Sequence, residues 1–261
     1  MTKIYYFSAT GNSLWSAKKI AEIIEEKDRT QKCELFNIGI EFEKENILIE
    51  ADAVILVFPS YAYGLPIAVK RFVKKAEFKT PYIASFVTFG SSPLGTHGML
   101  RRILKKKKIS KLYFGRIPAV ENYLAMFGTP SEEVITTRFA MQREATDDAA
   151  QSVIERKENK VNTFTPFSLF ITGLFYCGVK IFHRCYQVSK KKCSGCAVCV
   201  KLCPVGAISM KKNNRPFFSS KCECCQACVN LCPLRAIQFT RVRYGTPGYR
   251  HPEIELKELM R

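Results

Sequence analysis

An open, doubly wound α/β sheet followed by a small cysteine-rich α+β module is the architecture that this 261-residue chain predicts. Three observations point to it. The first 160 residues alternate short β-branched runs with segments of helical period, the pattern of parallel strands joined by crossover helices. Eleven of the 12 cysteines fall between Cys177 and Cys232. Within that region one cysteine pattern is written twice. The length favours two domains, at roughly 100–200 residues each, and a composition 47% hydrophobic and 25% charged suffices for buried cores.

Five strands are predicted: Ile4–Phe7, Cys33–Ile38, Ala51–Phe58, Pro81–Phe89 and Lys111–Pro118. Ala51–Phe58 (ADAVILVF) is almost unbroken in its apolarity, as a parallel strand covered on both faces requires. Leu14, Ala17, Ile20, Ala21 and Ile24 recur at helical spacing after the first strand, and further helices are expected over Pro66–Ala76 and Gly98–Lys107. A long helix is expected from Thr129, where Thr129-Pro130-Ser131-Glu132 offers a cap, a proline at the first helical position and an early acid. The predicted divisions are a sheet domain over 1–160, an apolar connector helix over 161–187, a cysteine domain over 188–242 and a tail over 243–261.

The connector holds no charge from Val161 to Val179, a run of 19 residues that is long enough to cross a bilayer. Thr165, Pro166, Ser168, Thr172 and two glycines interrupt it, while Phe167, Phe170, Ile171, Leu174, Phe175, Phe182 and Tyr186 keep a helical stripe. The expectation is a helix docked by that stripe, with peripheral membrane contact through 161–187 as the alternative and a full span disfavoured.

CSGCAVCVKLCPVGAI, beginning at Cys193, recurs 29 residues later as CECCQACVNLCPLRAI, beginning at Cys222. Each copy has the spacing C-x2-C-x2-C-x3-C-P. Three thiolates so spaced wrap one iron–sulfur cubane, and the fourth ligates the other cluster. Cluster 1 is therefore assigned to Cys193, Cys196, Cys199 and Cys232, and cluster 2 to Cys222, Cys225, Cys228 and Cys203. Zinc would need only paired C-x2-C units and leaves the third cysteine and the repeated Cys-Pro unexplained. Cys224 has no counterpart in the first copy and is expected to be a spare thiol. The N-terminus, MTKIYYFSATGNS, carries no basic-then-apolar leader, so thiols in a reducing compartment are expected rather than disulfides. The stretch from Val188 to Phe239, with Cys-Pro-x-x-Ala-Ile closing each run, resembles a bacterial two-cluster ferredoxin. That resemblance implies two [4Fe–4S] clusters, each exchanging one electron.

After the first strand comes Ser8-Ala9-Thr10-Gly11-Asn12-Ser13, then a helix. Hydroxyls and a glycine at a helix N-terminus suit a phosphate, and with neither a following lysine nor G-x-G-x-x-G the loop indicates neither a nucleoside triphosphate nor a dinucleotide. Pro59-Ser60-Tyr61-Ala62-Tyr63-Gly64 follows the third strand in sequence, and Gly90 opens a serine-rich loop after the fourth. All three loops belong at the carboxyl edge of a parallel sheet, where ligands bind. Either tyrosine can stack on a flat ring, and Thr88, Phe89 and Gly90 offer backbone to its polar edge. Ser8–Ser13 is similar to the phosphate loop of flavodoxins. The resemblance implies a flavodoxin-like sheet in which Ser8, Thr10, Gly11, Asn12 and Ser13 hold the phosphate of FMN and the second loop covers the flavin. Asn122-Tyr123, just beyond the last strand, is expected to be a plain loop, with closure over the flavin as the alternative.

Together the two halves resemble a flavodoxin–ferredoxin fusion. The function this implies is electron transfer between bound FMN and two [4Fe–4S] clusters, and on to or from a partner oxidoreductase. The alternative is a flavin-dependent reductase of a small substrate fed by the clusters, although no acid–base pair or nucleophile accompanies it; His97, His183 and His251 are scattered. Lys and Arg exceed Asp and Glu by 41 to 23, and residues 161–261 hold 16 of the former against 4 of the latter. The basic run Arg101–Lys111 lacks interleaved aromatics, so nucleic acid is not expected. The charge is read as a docking surface for an acidic redox partner or an anionic membrane face, in a cytoplasmic protein.

Overall fold

The computed structural model describes residues 1–161, 166–240 and 242–261. In chain order the first half contains β1 (Thr2–Tyr6), α1 (Asn12–Lys27), β2 (Cys33–Asn37), the single turn α2 (Ile38–Glu41), β3 (Leu48–Glu50), β4 (Ala53–Pro59), α3 (Ile67–Lys75), β5 (Glu77–Lys79), β6 (Tyr82–Phe89), α4 (Thr96–Leu104), β7 (Lys111–Pro118), the turn α5 (Leu124–Phe127) and α6 (Glu132–Ile154). A five-stranded sheet runs β2-β1-β4-β6-β7, and every neighbouring pair is parallel. Counting only its own strands, that order is 2-1-3-4-5, the flavodoxin-like doubly wound topology. β3 and β5, short strands that the apolar pattern does not announce, pair with each other outside this sheet.

β4 sits at the centre with Ala53 through Phe58 at 0% exposure, because helices cover both of its faces. On one face Ala17 and Ile20 of α1 and Ala150 of α6 pack against Ile4, Ile55 and Phe86. On the other, Val69 and Phe72 of α3 and Leu100 of α4 pack against Leu56 and Phe58. The long helix begins later than predicted. Ser131 is its cap, accepting from the Val134 N–H at 3.3 Å, while the Thr129 hydroxyl donates to the carbonyl of Pro247.

The second half contains α7 (Pro166–Phe182), a 3-10 turn at His183–Cys185, β8 (Tyr186–Val188), α8 (Val198–Lys201), β9 (Ile208–Met210), β10 (Pro216–Phe218), α9 (Ala227–Asn230) and β11 (Ile237–Phe239). β8 pairs with β11 and β9 with β10, both antiparallel. The connector helix predicted over 161–187 therefore ends at Phe182. Tyr186 belongs to the first strand of the cysteine module, where its ring stacks on Phe218 and Phe239. Residues 162–165 of that predicted helix lie outside the described residues.

The predicted docking stripe on α7 is also corrected. Ser168 and Thr172 are 1% exposed and Val179 is 2%, whereas Phe167, Phe170 and Leu174 lie outward at 58%, 64% and 56%. Small side chains face inward because α7 comes down on two glycines: a Cβ at Gly64 would collide with Thr172, and one at Gly95 with Ser168. The Thr172 hydroxyl donates to the Ala62 carbonyl at 2.8 Å, and the Tyr176 hydroxyl to that of Leu65 at 2.7 Å. Hydrogen bonds and close backbone approach seat the first half of this helix, while Val179, Phe175 and Phe182 pack its second half against the core.

Two contacts that fasten the second half of the chain to the sheet domain stand out. Glu223, buried at 4%, accepts from the backbone N–H groups of Ile67 and Ala68. Pro66 cannot cap α3 with a side chain, so this carboxylate from another part of the chain serves those N–H groups. Burial lifts its carboxyl to about 7, against the pull of the two N–H donors. Second, the tail from Gly248 onward returns to α1. The His251 N–H donates to the Thr10 carbonyl, the Tyr249 hydroxyl donates to Asn12 Oδ1 at 2.7 Å, and the Trp15 indole N–H donates to Glu253. The Trp15 ring stacks on His251 at 5.2 Å.

These contacts bear on stability in two measurable ways. Glu223→Ala strips the α3 N–H groups of their acceptor and should cost roughly 2–4 kcal/mol, with Glu223→Gln costing less; urea unfolding midpoints measure both. His97 and His251 are buried, and desolvation depresses their imidazoles to about 3 and about 4. An unfolded histidine titrates near 6.5. Below that value the unfolded chain binds protons that the folded chain refuses, so the two histidines make stability fall with pH from about 6.5 toward 4, by about 1.4 kcal/mol per pH unit each. Glu223, raised to about 7, takes up a proton in the folded chain over the same range and returns about one such slope. His251→Asn should flatten that slope, and equal midpoints at pH 7 and pH 5 for the parent chain would refute the assignment.

Candidate functional site

The carboxyl ends of β1, β4 and β6 open on one cavity of about 640 Å³. Its polar end is made by the loop after β1, from which Ser8, Thr10, Asn12 and Ser13 reach the wall. Gly11 stands behind the wall. Its φ of +111° needs a glycine, and a Cβ there would strike His251. The hydroxyls and amides of this loop are tied to its neighbours: Ser13 Oγ to Thr88 Oγ1 at 2.8 Å, Asn122 Nδ2 to Thr10 Oγ1, and Asn12 Nδ2 to the Val120 carbonyl at 3.0 Å. The Gly11 N–H donates to Ser8 Oγ at 3.2 Å. With the Asn12 side chain held by Val120 and Tyr249, the loop offers an anion the first backbone N–H groups of α1, which no helical carbonyl takes.

The loop after β4 supplies Pro59, Ser60, Tyr61, Ala62 and Tyr63 to the same wall, and the loop after β6 supplies Thr88, Phe89 and Gly90. Gly64 does not reach the cavity; it meets Thr172 instead. Tyr61 and Gly64 exchange both backbone hydrogen bonds, with Ala62 and Tyr63 at φ +46° and +63°. This is a two-residue turn that strains non-glycine residues, and the Thr172 hydroxyl on the Ala62 carbonyl helps to hold it. The two tyrosines part ways there. The Tyr63 ring lies 6.2 Å from that of Phe167. The Tyr61 hydroxyl is buried with no hydrogen-bond partner among the described residues, and desolvation, then Cys225, Glu223 and Cys222, hold the phenol well above its ordinary pKa.

Several lining residues escape sequence reasoning. Glu121 lies over Gly90, where any Cβ would run into its carboxylate, and burial raises its carboxyl. Phe127, Phe167, Ile171 and Leu174 form an apolar end opposite the phosphate-loop end. Asn122 and Tyr123 also line the cavity, as do Cys224 and Cys225. Cys224 is therefore no surface thiol but a buried group on the cavity wall. Only the folding of the cysteine module against α3 brings these two residues here, and no local pattern marks them.

The cysteines gather in two sets. Cys193, Cys196, Cys199 and Cys232 ring a second, smaller cavity together with Pro233. Cys203 lies among the thiols of the second run, within electrostatic reach of Cys225 and Cys228. A cubane needs four sulfurs set around a volume, and the surroundings of the sulfurs suit such a group. The Ala207 N–H donates to Cys203 Sγ at 3.1 Å and the Ala236 N–H to Cys232 Sγ at 3.3 Å, the same bond in each copy of Cys-Pro-x-x-Ala. Burial pushes the Cys225 and Cys228 thiols up, so thiolates there call for bound cations.

Comparison with known proteins matches residues 186–209 to the 4Fe-4S binding domain family. A 28-residue stretch is 64% identical to a heterodisulfide reductase A-like protein of Archaeoglobus profundus, covering 11% of this chain and 4% of that protein. Solved structures similar to the chain include an azoreductase from Bacillus anthracis (TM-score 0.40, 14% identity, 58% of this chain and 100% of that one). A flavodoxin from Streptococcus pneumoniae TIGR4 gives a TM-score of 0.39 at 14% identity, over 60% of this chain and 99% of that one. An archaeal flavodoxin gives 0.37 at 16% identity, over 59% and 99%. The fold itself rests on the strand order and register above. The chain thus couples a flavodoxin-like domain to a 4Fe-4S binding domain, the composition of a flavodoxin–ferredoxin fusion.

Proposed function

We propose that this chain transfers electrons between an FMN in the 640 Å³ cavity and two [4Fe–4S] clusters, and onward to or from a partner oxidoreductase. One observation carries the reading: Cys224 and Cys225 of the second cysteine run line the same cavity as Ser8, Thr10 and Ser13. When bound, a flavin supplies two electrons that can leave singly, and each cluster takes one. The chain's own residues do the rest. The first turn of α1 with Ser8 and Thr10 holds the phosphate, and Tyr61 stays protonated between the flavin site and the cysteine loop. Cys222, Cys225, Cys228 and Cys203 hold the cluster beside the cavity. Cys193, Cys196, Cys199 and Cys232 hold the other, with Cys196 exposed to solvent. A partner would enter near the exposed Cys196, where Lys190, Lys191 and Lys192 favour an acidic surface. A cytoplasmic location belongs to the same proposal.

The apolar end at Phe127, Phe167, Ile171 and Leu174 supports one alternative, a reductase that admits a flat small molecule beside the ring. Saturable turnover of a quinone or nitro compound would favour it over the carrier.

Anaerobic purification should yield about eight iron atoms per chain for two cubanes, with one FMN. Cys193→Ser should lose about half of the iron while keeping the flavin. Flavin reduction by a one-electron donor protein should slow sharply in both Cys193→Ser and Cys225→Ser. Unchanged flavin reduction in both variants would sink the relay, and insensitivity of partner reduction to ionic strength would sink the charged docking surface.

A further inference from the structure

The inward side of α7 is partly polar in its first half, with Val179, Phe175 and Phe182 packed against the core farther on. Ser168, Thr172 and Tyr176 point to the sheet domain, the last two donating to the carbonyls of Ala62 and Leu65. Phe167, Phe170, Leu174 and Ile181 lie on the outside, with Phe170 and Ile181 at 64% and 61% exposure. A helix on the surface of a water-soluble domain normally does the reverse. The inversion is continuous with the cavity mouth, since Phe167 and Leu174 line it on one side and Met126 and Phe127, at 73% and 52% exposure, on the other. Mean hydropathy over Pro166–Cys185 reaches 1.2, with 17% of the segment buried, so by length and composition it could enter a bilayer. The contacts at residues 168, 172 and 176 pin it along its length to the protein, so it lies flat.

We infer that this outer face of α7, with Met126 and Phe127, seats the protein on an anionic lipid surface. Two features favour lipid over a protein partner. The outward side chains of Phe167, Phe170, Leu174, Ile181, Met126 and Phe127 carry no nitrogen or oxygen, whereas protein interfaces make about one hydrogen bond per 100–200 Å². The chain that carries α7 is also basic on both sides of the helix. From residue 159 to residue 222 there are 11 Lys and Arg and no Asp or Glu. Lys180 and Arg184 are exposed at the far end of the helix, and Lys70 of α3 stands over the Tyr176 ring at 4.7 Å. An apolar face flanked by cations whose long stems reach the headgroups is how a helix lies in a membrane interface. The inference stands whichever cofactor the cavity holds.

The test is flotation of the full chain with vesicles of phosphatidylcholine, alone or with phosphatidylglycerol. Binding should need the anionic lipid and weaken with salt. Phe170 and Ile181 do not line the cavity, so Phe170→Ser/Ile181→Ser leaves it intact and should lower partitioning by about tenfold or more, with an unchanged melting temperature. Phe170→Trp adds an exposed indole to a chain whose own Trp15 is buried, and its emission should shift to the blue on anionic vesicles. A chain that stays unbound at low salt on anionic vesicles overturns the proposal. So does equal binding of the double variant, which would mean that charge alone is responsible. A stable dimer in sedimentation that the double variant dissolves would assign the face to a second copy of the chain, and would overturn the lipid assignment as well.

Discussion

The carboxylate of Glu223 on the first two N–H groups of α3 sets the geometry on which the site depends. It is a residue of the cysteine loop that completes a helix of the sheet domain. The helix end would otherwise bury donors without acceptors, and the carboxylate would otherwise be buried without a donor, so each makes the other tolerable. Because Glu223 stands between Cys222 and Cys224, anchoring it fixes the second cysteine run over the mouth of the sheet. The core then continues without a break from Phe58 and Phe72 through Tyr186 to Ile237.

Around that anchor the loops at the carboxyl edge become a single polar layer. Thr88 reaches Ser13, Asn122 reaches Thr10, and Asn230 Nδ2 of the cysteine module reaches the Asn122 carbonyl at 3.1 Å. Hydrogen bonds thus run from the loop after β1 into the cysteine module. A group in the cavity would be gripped by a layer whose own polar atoms are largely matched, leaving the first N–H groups of α1 to face it. Such preorganisation limits how much the site must rearrange when its occupant changes charge.

Much of this was legible in the sequence, and what was not shares a common cause. The ADAVILVF run announces a strand covered on both faces, and β4 is one. The serine and threonine spacing of residues 8–13 marks the polar end of the cavity, and Cys232 joins the first cysteine run around a smaller one. The errors lie where partners are distant. Helical period located α7 but not its inward face, because that face is chosen by Gly64 and Gly95, which are far away in sequence. Ser131 displaced Thr129 as the cap because Thr129 bonds to Pro247. Glu121 and Cys224 reach the cavity only through tertiary folding. Local signals name elements; facing and contact belong to the whole chain.

The tail shows what such distance entails for assembly. Tyr249 closes on Asn12 across 237 residues, and Lys18 meets Glu258 across 240. Contacts of that range form late, after local strands and helices have offset the entropy of ordering. The strands of the central sheet can pair without the tail, but the backbone of Thr10 and Gly11 is locked only when His251 arrives beside them. His251 in turn follows Tyr249, whose N–H is held by Asn230 of the cysteine module. The loop that comes first in the chain is thus locked by residues near its end, and those residues are themselves held by the iron-binding half.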